Sequence, residues 1–380
     1  MRTQKIGKVV SRCGMVGLAT FLMACGKQEV IEATTAAETA KAVRVFAWEE
    51  YLSPEVLEKF EEETGRAVEV THYANIDEMI QKVSSSSEEF DVLILDNYSV
   101  DQLGNSRQLA PLDHSKLPNK GNISIDYVDR AFDKGNKYSF PYMWGTTLVA
   151  YRKDMISDPQ KSFSLLADPA LKGKIALLDE RVDCYPFALR LINQDQNTKD
   201  PKIIEQATQK LLEIQREVEI QLLTDMEIKE ALKAGTIAAA LLYSGDAALI
   251  AEECEEIGFF VPNEGATIWV DSFAISRDSS NIEGAHEFIN FMMDAKVAAE
   301  SSNFLWYATP NEKAVPFLNE DLRNEQAIYP EADVLAKCEF QPENDNERER
   351  VMNEGWQRFK KAYAARLKRE VASAEDMPGS

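Results

Sequence analysis

The chain contains 380 residues, and its 64 acidic residues outnumber its 42 lysines and arginines, so its formal net charge at pH 7 is −22. A protein this acidic will not bind nucleic acid or an anionic membrane surface through its overall charge, whereas it will attract cations. A chain of this length is too long for one simple core, and we expect two domains.

The N-terminal segment has the pattern of an export signal. Four basic residues precede an apolar stretch at residues 14–24, which is too short to span a bilayer. The stretch runs into Leu-Met-Ala-Cys-Gly, which resembles the bacterial lipobox, a signal whose cysteine becomes the lipidated N-terminus. We therefore predict that residues 1–24 are removed, that Cys25 is lipidated, and that residues 25–42 form a flexible tether. The alternative is a buried apolar helix that contains a cysteine by chance.

Strand and helix patterns alternate from residue 43 onward. Ser53 is a suitable N-cap for the first helix, Pro54 a suitable first helical residue, and Gly65 a suitable end. The βαβαβ order of this region is typical of a parallel sheet. The first five predicted elements are strands at residues 43–47, 67–70 and 90–95 and helices at residues 54–63 and 76–83.

A second α/β pattern follows residue 143. No linker-like segment rich in glycine, proline or serine separates the two halves, so we expect domains connected by crossing strands, with a cleft between them. The predicted strands lie at residues 174–178, 237–242, 259–261 and 267–275, and the predicted helices at residues 186–193, 203–217, 227–233, 245–254, 285–293, 296–303 and 347–367.

Acidic and aromatic residues occur together after three apolar, strand-like segments. The groups are Trp48-Glu49-Glu50-Tyr51, Tyr243 with Asp246, and Trp269 with Asp271. Ends of strands are where open α/β sheets bind ligands. A carboxylate attracts an organic cation, and an aromatic face attracts its ammonium and methylene groups. The pattern therefore indicates a site for an amine.

The same residues also have a structural interpretation. Trp48 and Trp269 could be ordinary core residues, since tryptophan is highly buried on average. Asp271 lies within an apolar strand pattern, where an unpaired buried carboxylate would cost several kcal/mol. It needs a partner, and the ammonium group of a ligand would serve.

Sequence motifs of enzymes are missing from the chain. The three histidines show no ligand spacing, and there is neither a glycine-rich phosphate loop nor a Gly-x-Ser-x-Gly motif. Glu180 with Asp183 is the nearest pair of catalytic carboxylates, but two acids at the start of a helix could equally be caps. We therefore predict no catalytic residue, no metal site and no cofactor. The remaining cysteines, Cys184, Cys254 and Cys338, match neither a zinc motif nor a disulfide framework.

Several segments together match the motifs of one known family. They are residues 45–51 (VFAWEEY), 90–93 (FDVL), 98–101 (YSVD), 138–147 (YSFPYMWGTT), 269–275 (WVDSFAI), 307–311 (YATPN) and 340–341 (FQ). From about residue 43 to the C-terminal helix, the chain resembles the polyamine-binding proteins of bacterial ABC importers, the spermidine/putrescine receptors. The resemblance implies an α/β, two-lobe, periplasmic-binding-protein-like fold of type II, with a hinge between the lobes. Lobe one would comprise residues 43–146 plus 270–315, and lobe two residues 147–269 plus 316–370.

The resemblance also implies a set of ligand-binding residues. Three of them depart from the family pattern: Glu49 replaces a small hydroxyl residue, Asp96 adds an acid, and Tyr243 replaces a tryptophan. The choice between spermidine and putrescine therefore stays open. The full set is Trp48, Glu49, Glu50, Tyr51, Asp96, Tyr98, Glu180, Asp183, Tyr243, Asp246, Trp269, Asp271, Tyr307 and Gln341.

We therefore expect an extracytoplasmic lipoprotein at the periplasmic or outer face of a bacterial membrane, attached only through the lipid on Cys25. It would capture a polyamine between its lobes, as a monomer, and deliver it to the permease subunits of an ABC importer. Three alternatives remain: the same fold binding an amino acid, a sugar or a metal ion; a surface hydrolase that uses Glu180 and Asp183; and an adhesin or structural lipoprotein.

Overall fold

A computed structural model of the chain describes residues 41–85, 89–341 and 345–375. The predicted signal peptide, Cys25 and the tether up to residue 40 lie outside the described residues. Among the helices that are described, none is both long and apolar enough to cross a membrane.

The described residues form eleven strands and twelve α-helices, with short 3-10 turns between some of them. The strands are β1 (Val43–Trp48), β2 (Val68–Tyr73), β3 (Val92–Asp96), β4 (Leu109–Ala110), β5 (Ser139–Arg152), β6 (Ile175–Leu178), β7 (Gln221–Leu223), β8 (Ala239–Tyr243), β9 (Ile257–Phe260), β10 (Thr267–Ser276) and β11 (Glu339–Phe340). The helices are α1 (Pro54–Thr64), α2 (Ile76–Ser85), α3 (Asn97–Asn105), α4 (Arg181–Leu191), α5 (Pro201–Glu217), α6 (Asp225–Lys233), α7 (Ser244–Glu253), α8 (Ile282–Met292), α9 (Ala295–Leu305), α10 (Glu320–Asn324), α11 (Ala332–Leu335) and α12 (Asn346–Glu375).

All of these strands belong to one mixed sheet with the order β2-β1-β3-β10-β5-β8-β6-β7, while β4 and β11 pair with β10 and β9 pairs with β5. Strand β1 is parallel to β2 and β3, and β6 is parallel to β7 and β8. The long strands β5 and β10 run antiparallel to each other between these two parallel groups. The sheet therefore contains the predicted parallel groups and two long strands that connect them.

The start of α1 illustrates how local sequence sets the element boundaries. The Ser53 hydroxyl accepts a hydrogen bond from the Val56 amide, and Pro54 occupies the first turn, where its missing N–H is not needed. Gly65 ends the helix with a φ of 70°, a left-handed conformation that glycine adopts without a steric penalty. The predicted helix is confirmed and extends one residue further, to Thr64.

The prediction that a helix begins at residue 186 is wrong. Helix α4 begins at Arg181, and Pro186 lies inside it. A proline in a helix interior removes one hydrogen bond and costs about 3 kcal/mol. Nine of the eleven residues of α4 are buried, so packing against the sheet offsets that cost. The earlier start places Glu180 at the N-cap position and Asp183 in the first turn.

The hydrophobic core is divided into separate clusters. One contains Phe187 of α4, Leu211 of α5 and Leu241 of β8, and is covered by α12. Another contains Phe60 of α1 and Phe288 of α8, on the side of β1 and β3. Each parallel group of strands thus has its own core. The residue boundaries of the two lobes remain a prediction.

Candidate ligand-binding site

A cavity of about 590 Å³ lies where several strands of the sheet end. Thirteen of the fourteen predicted ligand-binding residues line it, and Tyr98 is the exception. Its wall is mostly acidic and aromatic, which matches the chemistry that the sequence indicated.

The topology brings these side chains together. Trp48, Asp96 and Tyr243 are the last residues of β1, β3 and β8, and Glu180 follows β6. The strand predicted at residues 267–275 is confirmed as β10, which continues to Ser276, so Trp269 and Asp271 lie within a strand and not after its end. These two residues reach the cavity from the interior of a strand that crosses between the two parallel groups.

Two carboxylates face each other across neighbouring strands. Asp271 of β10 lies directly opposite Asp96 of β3, and the two residues are only 6% and 7% exposed. Like charges in directly opposite positions destabilise a sheet. The Tyr51 hydroxyl donates a hydrogen bond to Asp271. One oxygen of Asp96 accepts a hydrogen bond from the Ser99 amide (3.1 Å), whereas its buried Oδ2 has no partner among the described residues.

Glu180 and Asp183 form a second acidic group at the start of α4. Glu180 makes no side-chain cap, and instead accepts a hydrogen bond from the Ile76 amide at 3.2 Å. Asp183 accepts hydrogen bonds from the hydroxyls of Thr147 (2.8 Å) and Tyr243 (3.0 Å). The interpretation of this pair as helix caps is therefore wrong for both side chains, which line the cavity.

Burial raises the pKa values of these carboxyl groups. It raises the pKa of Asp271 to about 7, with repulsion from Asp96 and Asp183 in the same direction, and the pKa of Asp183 to about 6. Burial and repulsion by Asp183 raise the pKa of Glu180 well above its usual range, and burial also raises the pKa of Asp96. Near neutral pH these carboxyl groups therefore tend either to hold protons or to bind a cation.

The aromatic side chains form a continuous wall. Trp269 meets Tyr243 and Tyr307 edge to face, with ring centroids 5.7 and 5.1 Å apart. Gly145 of β5 makes this position possible, because a Cβ atom there would lie 2.4 Å from the Trp269 ring. Trp48 also lines the cavity, and its ring packs on Tyr73 with the ring centroids 4.4 Å apart.

Other predicted residues occupy the rim and floor. Glu49 and Glu50 are exposed at the rim, whereas Gln341 is buried and its Oε1 has no partner among the described residues. The Tyr307 hydroxyl donates to Asp246 at 2.9 Å, so this acid belongs to a network within the wall.

Tyr98 does not line the cavity, contrary to the prediction. Helix α3 begins at Asn97, and Tyr98 lies on its buried side near α4 and α12. Its hydroxyl donates to Glu349 and accepts from Arg181, both at 2.9 Å. Tyr98 therefore connects helices behind the site.

Sequence reasoning missed Asp225 and Lys229 of α6, which both line the cavity. Lysines in amphipathic helices usually face solvent. The sequence of residues 227–233 predicted a helix but did not indicate that any of its residues would line a site. The spacing of Asp225 and Lys229 by four residues, which places them on one helix face, was the available indication.

In the ranges that the structure describes, no group of three or more histidine, cysteine, aspartate or glutamate side chains is arranged to hold a metal ion. Cys184, Cys254 and Cys338 are free thiols.

Comparison with known proteins reveals extensive similarity. Residues 55–328 match the family model described as bacterial extracellular solute-binding protein. The chain is 33% identical over 331 residues to spermidine/putrescine-binding periplasmic protein 1 of Haemophilus influenzae, covering 85% of this chain and 91% of that protein. It is 30% identical over 337 residues to a putrescine/cadaverine-binding protein of Pseudomonas aeruginosa, covering 85% and 95%.

A solved structure is also similar over nearly its whole length. It is that of a spermidine/putrescine ABC transporter substrate-binding protein from Streptococcus pneumoniae, with a TM-score of 0.74 and 27% identity. The similarity covers 85% of this chain and 99% of that chain. Together with the observed sheet, this likeness confirms the predicted α/β fold class.

The raised pKa values predict that the ligand-free protein loses stability as the pH rises. Each group with a folded-state pKa above its unfolded value stabilises the fold at low pH, and this stability is lost as the pH rises through the folded pKa. With Asp183 near 6 and Asp271 near 7, we expect the free energy of unfolding to fall by about 2–4 kcal/mol between pH 5 and pH 8. Urea denaturation of the ligand-free domain at four pH values measures this.

The double variant Asp183→Asn/Asp271→Asn is the control, since it removes two of the groups with raised pKa values and should make the fall in the free energy of unfolding between pH 5 and pH 8 smaller. A wild-type free energy of unfolding that stays constant or rises from pH 5 to pH 8 would contradict the assigned electrostatics.

Proposed function

Because the chain belongs to the family of bacterial extracellular solute-binding proteins, we propose that it binds a polyamine, putrescine or spermidine, and delivers it to an ABC importer. The family consists of solute-binding proteins and is not an enzyme class. The names of its relatives support polyamines as the ligands, and the cavity supplies a physical reason for that choice.

The observation that carries this proposal is the buried pair of Asp96 and Asp271. Two carboxylates on opposite strand positions repel each other, and one oxygen of Asp96 has no partner among the described residues. An ammonium group between them would supply both the missing hydrogen bonds and the missing charge. A sugar carries no charge to match this pair. An amino acid brings an ammonium group but also a carboxylate, which the other acids of the cavity would repel, so a polyamine fits the cavity better than either.

The remaining wall suits the rest of a polyamine. Its methylene groups would lie against Trp48, Tyr243 and Trp269, whose faces attract both hydrocarbon and cations. A second ammonium group would reach Glu180 and Asp183. Glu180 accepts a hydrogen bond from the Ile76 amide and Asp183 from the hydroxyls of Thr147 and Tyr243, so no basic residue pairs with either acid. Binding by these contacts needs neither a covalent step nor a cofactor.

Capture would involve two lobes that close on the ligand. We assign residues 43–146 plus 270–315 to one lobe and residues 147–269 plus 316–370 to the other, with β5 and β10 as the connection. Two parallel strand groups with separate cores support this assignment. Closure would bury the polyamine and form the surface that the permease subunits recognise.

Export and a lipid on Cys25 would keep the protein beside its importer. The names of the relatives place those proteins in the periplasm. The lipobox-like residues 22–26 support lipidation, which would be the only membrane attachment of a monomeric receptor.

The proposal predicts binding of a polyamine with a dependence on Asp271. Isothermal titration calorimetry of the mature domain should detect putrescine or spermidine, while amino acids and sugars should give no heat of binding. Asp271→Asn keeps the shape but removes the charge that a buried ammonium needs, and should weaken binding by about 2–5 kcal/mol.

Asp133→Asn is the matched control, because Asp133 is also a buried acid with a raised pKa but lies outside the cavity. It should leave the polyamine affinity within about threefold, which is less than about 1 kcal/mol. The absence of polyamine binding by the folded wild type would refute the function, and unchanged binding by Asp271→Asn would refute this anchor.

Lipidation is tested by Cys25→Ser. The precursor of this variant should remain unprocessed or be released as soluble protein, whereas the wild type should partition into the detergent phase of Triton X-114. If Cys25→Ser were processed and partitioned into the detergent phase to the same extent as the wild type, Cys25 would not be the lipid site.

A further inference from the structure

The cavity already contains one ammonium group that belongs to the protein. Lys229 is only 8% exposed, and its Nζ lies 3.2 Å from Oδ1 of Asp246. The hydroxyl of Tyr307 donates to the other oxygen of Asp246 at 2.9 Å. Both oxygens of Asp246 therefore have hydrogen-bond partners within the protein. In Asp96, by contrast, Oδ2 has no partner among the described residues.

The helix that carries Lys229 is held firmly in place. Thr224 and Glu227 form a capping box at the start of α6. Asp225 follows on the same helix face as Lys229. Although burial opposes the charged form of Lys229, Asp246 and Asp225 raise its pKa, so it carries a positive charge at neutral pH. Glu50 adds a weaker contact at 3.9 Å.

The cavity therefore has two electrostatically different ends. At one end, the charged groups that act on Asp271, Asp183 and Glu180 are all acidic. At the other end, Lys229 forms a salt bridge with Asp246 and places a positive charge among Asp246, Asp225 and Glu50. An ammonium group of a ligand gains from the first end, but at the second end it would meet a fixed positive charge.

We propose that Lys229 is a specificity-determining residue that takes the place of a ligand ammonium group beside Asp246 and so favours a diamine over a longer polyamine. The inference rests on the proposed function and concerns the same cavity. A third ammonium group could bind beside Asp246 only by displacing Lys229, which would leave the lysine buried without its partner. Asp246 would thus act as the partner of Lys229 rather than as a direct ligand anchor.

The test is Lys229→Met, which keeps an unbranched side chain of similar size and removes the charge. Dissociation constants for putrescine and spermidine are measured by calorimetry at one pH and one salt concentration. With Asp246 free to accept a third ammonium group, the affinity for spermidine relative to putrescine should rise at least about fivefold, or about 1 kcal/mol. A smaller rise, or a fall, would overturn the inference.

The matched control is Lys229→Met/Asp246→Asn, which removes one positive and one negative charge, so that the net charge at this end of the cavity equals that of the wild type. Its spermidine-to-putrescine preference should remain that of the wild type. An equal gain for spermidine in this double variant would overturn the inference, because the gain would then come from space rather than from charge.

Removal of Lys229 leaves two acids unpaired, and the variant could fail to fold. Lys229→Met/Asp225→Asn removes one of those acids and should give the same gain for spermidine, so the test does not depend on a single variant. Failure of the wild type to bind any polyamine would refute the proposed function. Binding by the wild type, with an unchanged preference in the variants, would refute only the role of Lys229.

Discussion

The structure depends on the electrostatic repulsion among carboxylates that are buried around one cavity. Asp96 lies on β3, Asp271 lies on β10, and Glu180 and Asp183 lie at the start of α4. None of these four acids is neutralised by a basic residue. Isolated buried charges are costly, so such groups hold protons or acquire a cation. Repulsion among these carboxylates destabilises the ligand-free protein. A ligand whose positive charges match their positions relieves this repulsion, which contributes favourably to the free energy of binding.

The scaffold keeps these carboxylates in place. Antiparallel pairing of β10 with β3 fixes Asp271 opposite Asp96, and neither side chain can move far from a strand backbone. Gly245 allows Tyr307 to approach α7 closely, since a Cβ atom at that position would lie 2.5 Å from its ring. The hydroxyls of Tyr51, Tyr243 and Tyr307 then donate to three different acids. Rigid aromatic residues thus both shape the cavity and hold its charges.

Much of this arrangement could be predicted from the sequence, for identifiable reasons. Apolar periodicity and caps located α1 and seven of the eleven described strands, but not β4, β5, β7 or β11. The motif around Trp269 and Asp271 indicated residues that line the cavity. The start of α4 was missed because Pro186 suggests a helix start, whereas burial of the helix outweighs its local preference. Lys229 was missed because only the tertiary structure brings a helical lysine against Asp246. Tyr98 was wrongly placed because a motif gives no side-chain direction.

The most direct test of this account counts the protons released when the polyamine binds. Titrations with putrescine at pH 6.5, in buffers of different ionisation enthalpy, give the number of protons from the slope of the observed enthalpy. Carboxyl groups with pKa values of about 6 and 7 should lose at least about half a proton per ligand at this pH, and almost none at pH 9. Binding without proton release at pH 6.5 would contradict the claim that the ligand replaces protons held by the repelling carboxylates.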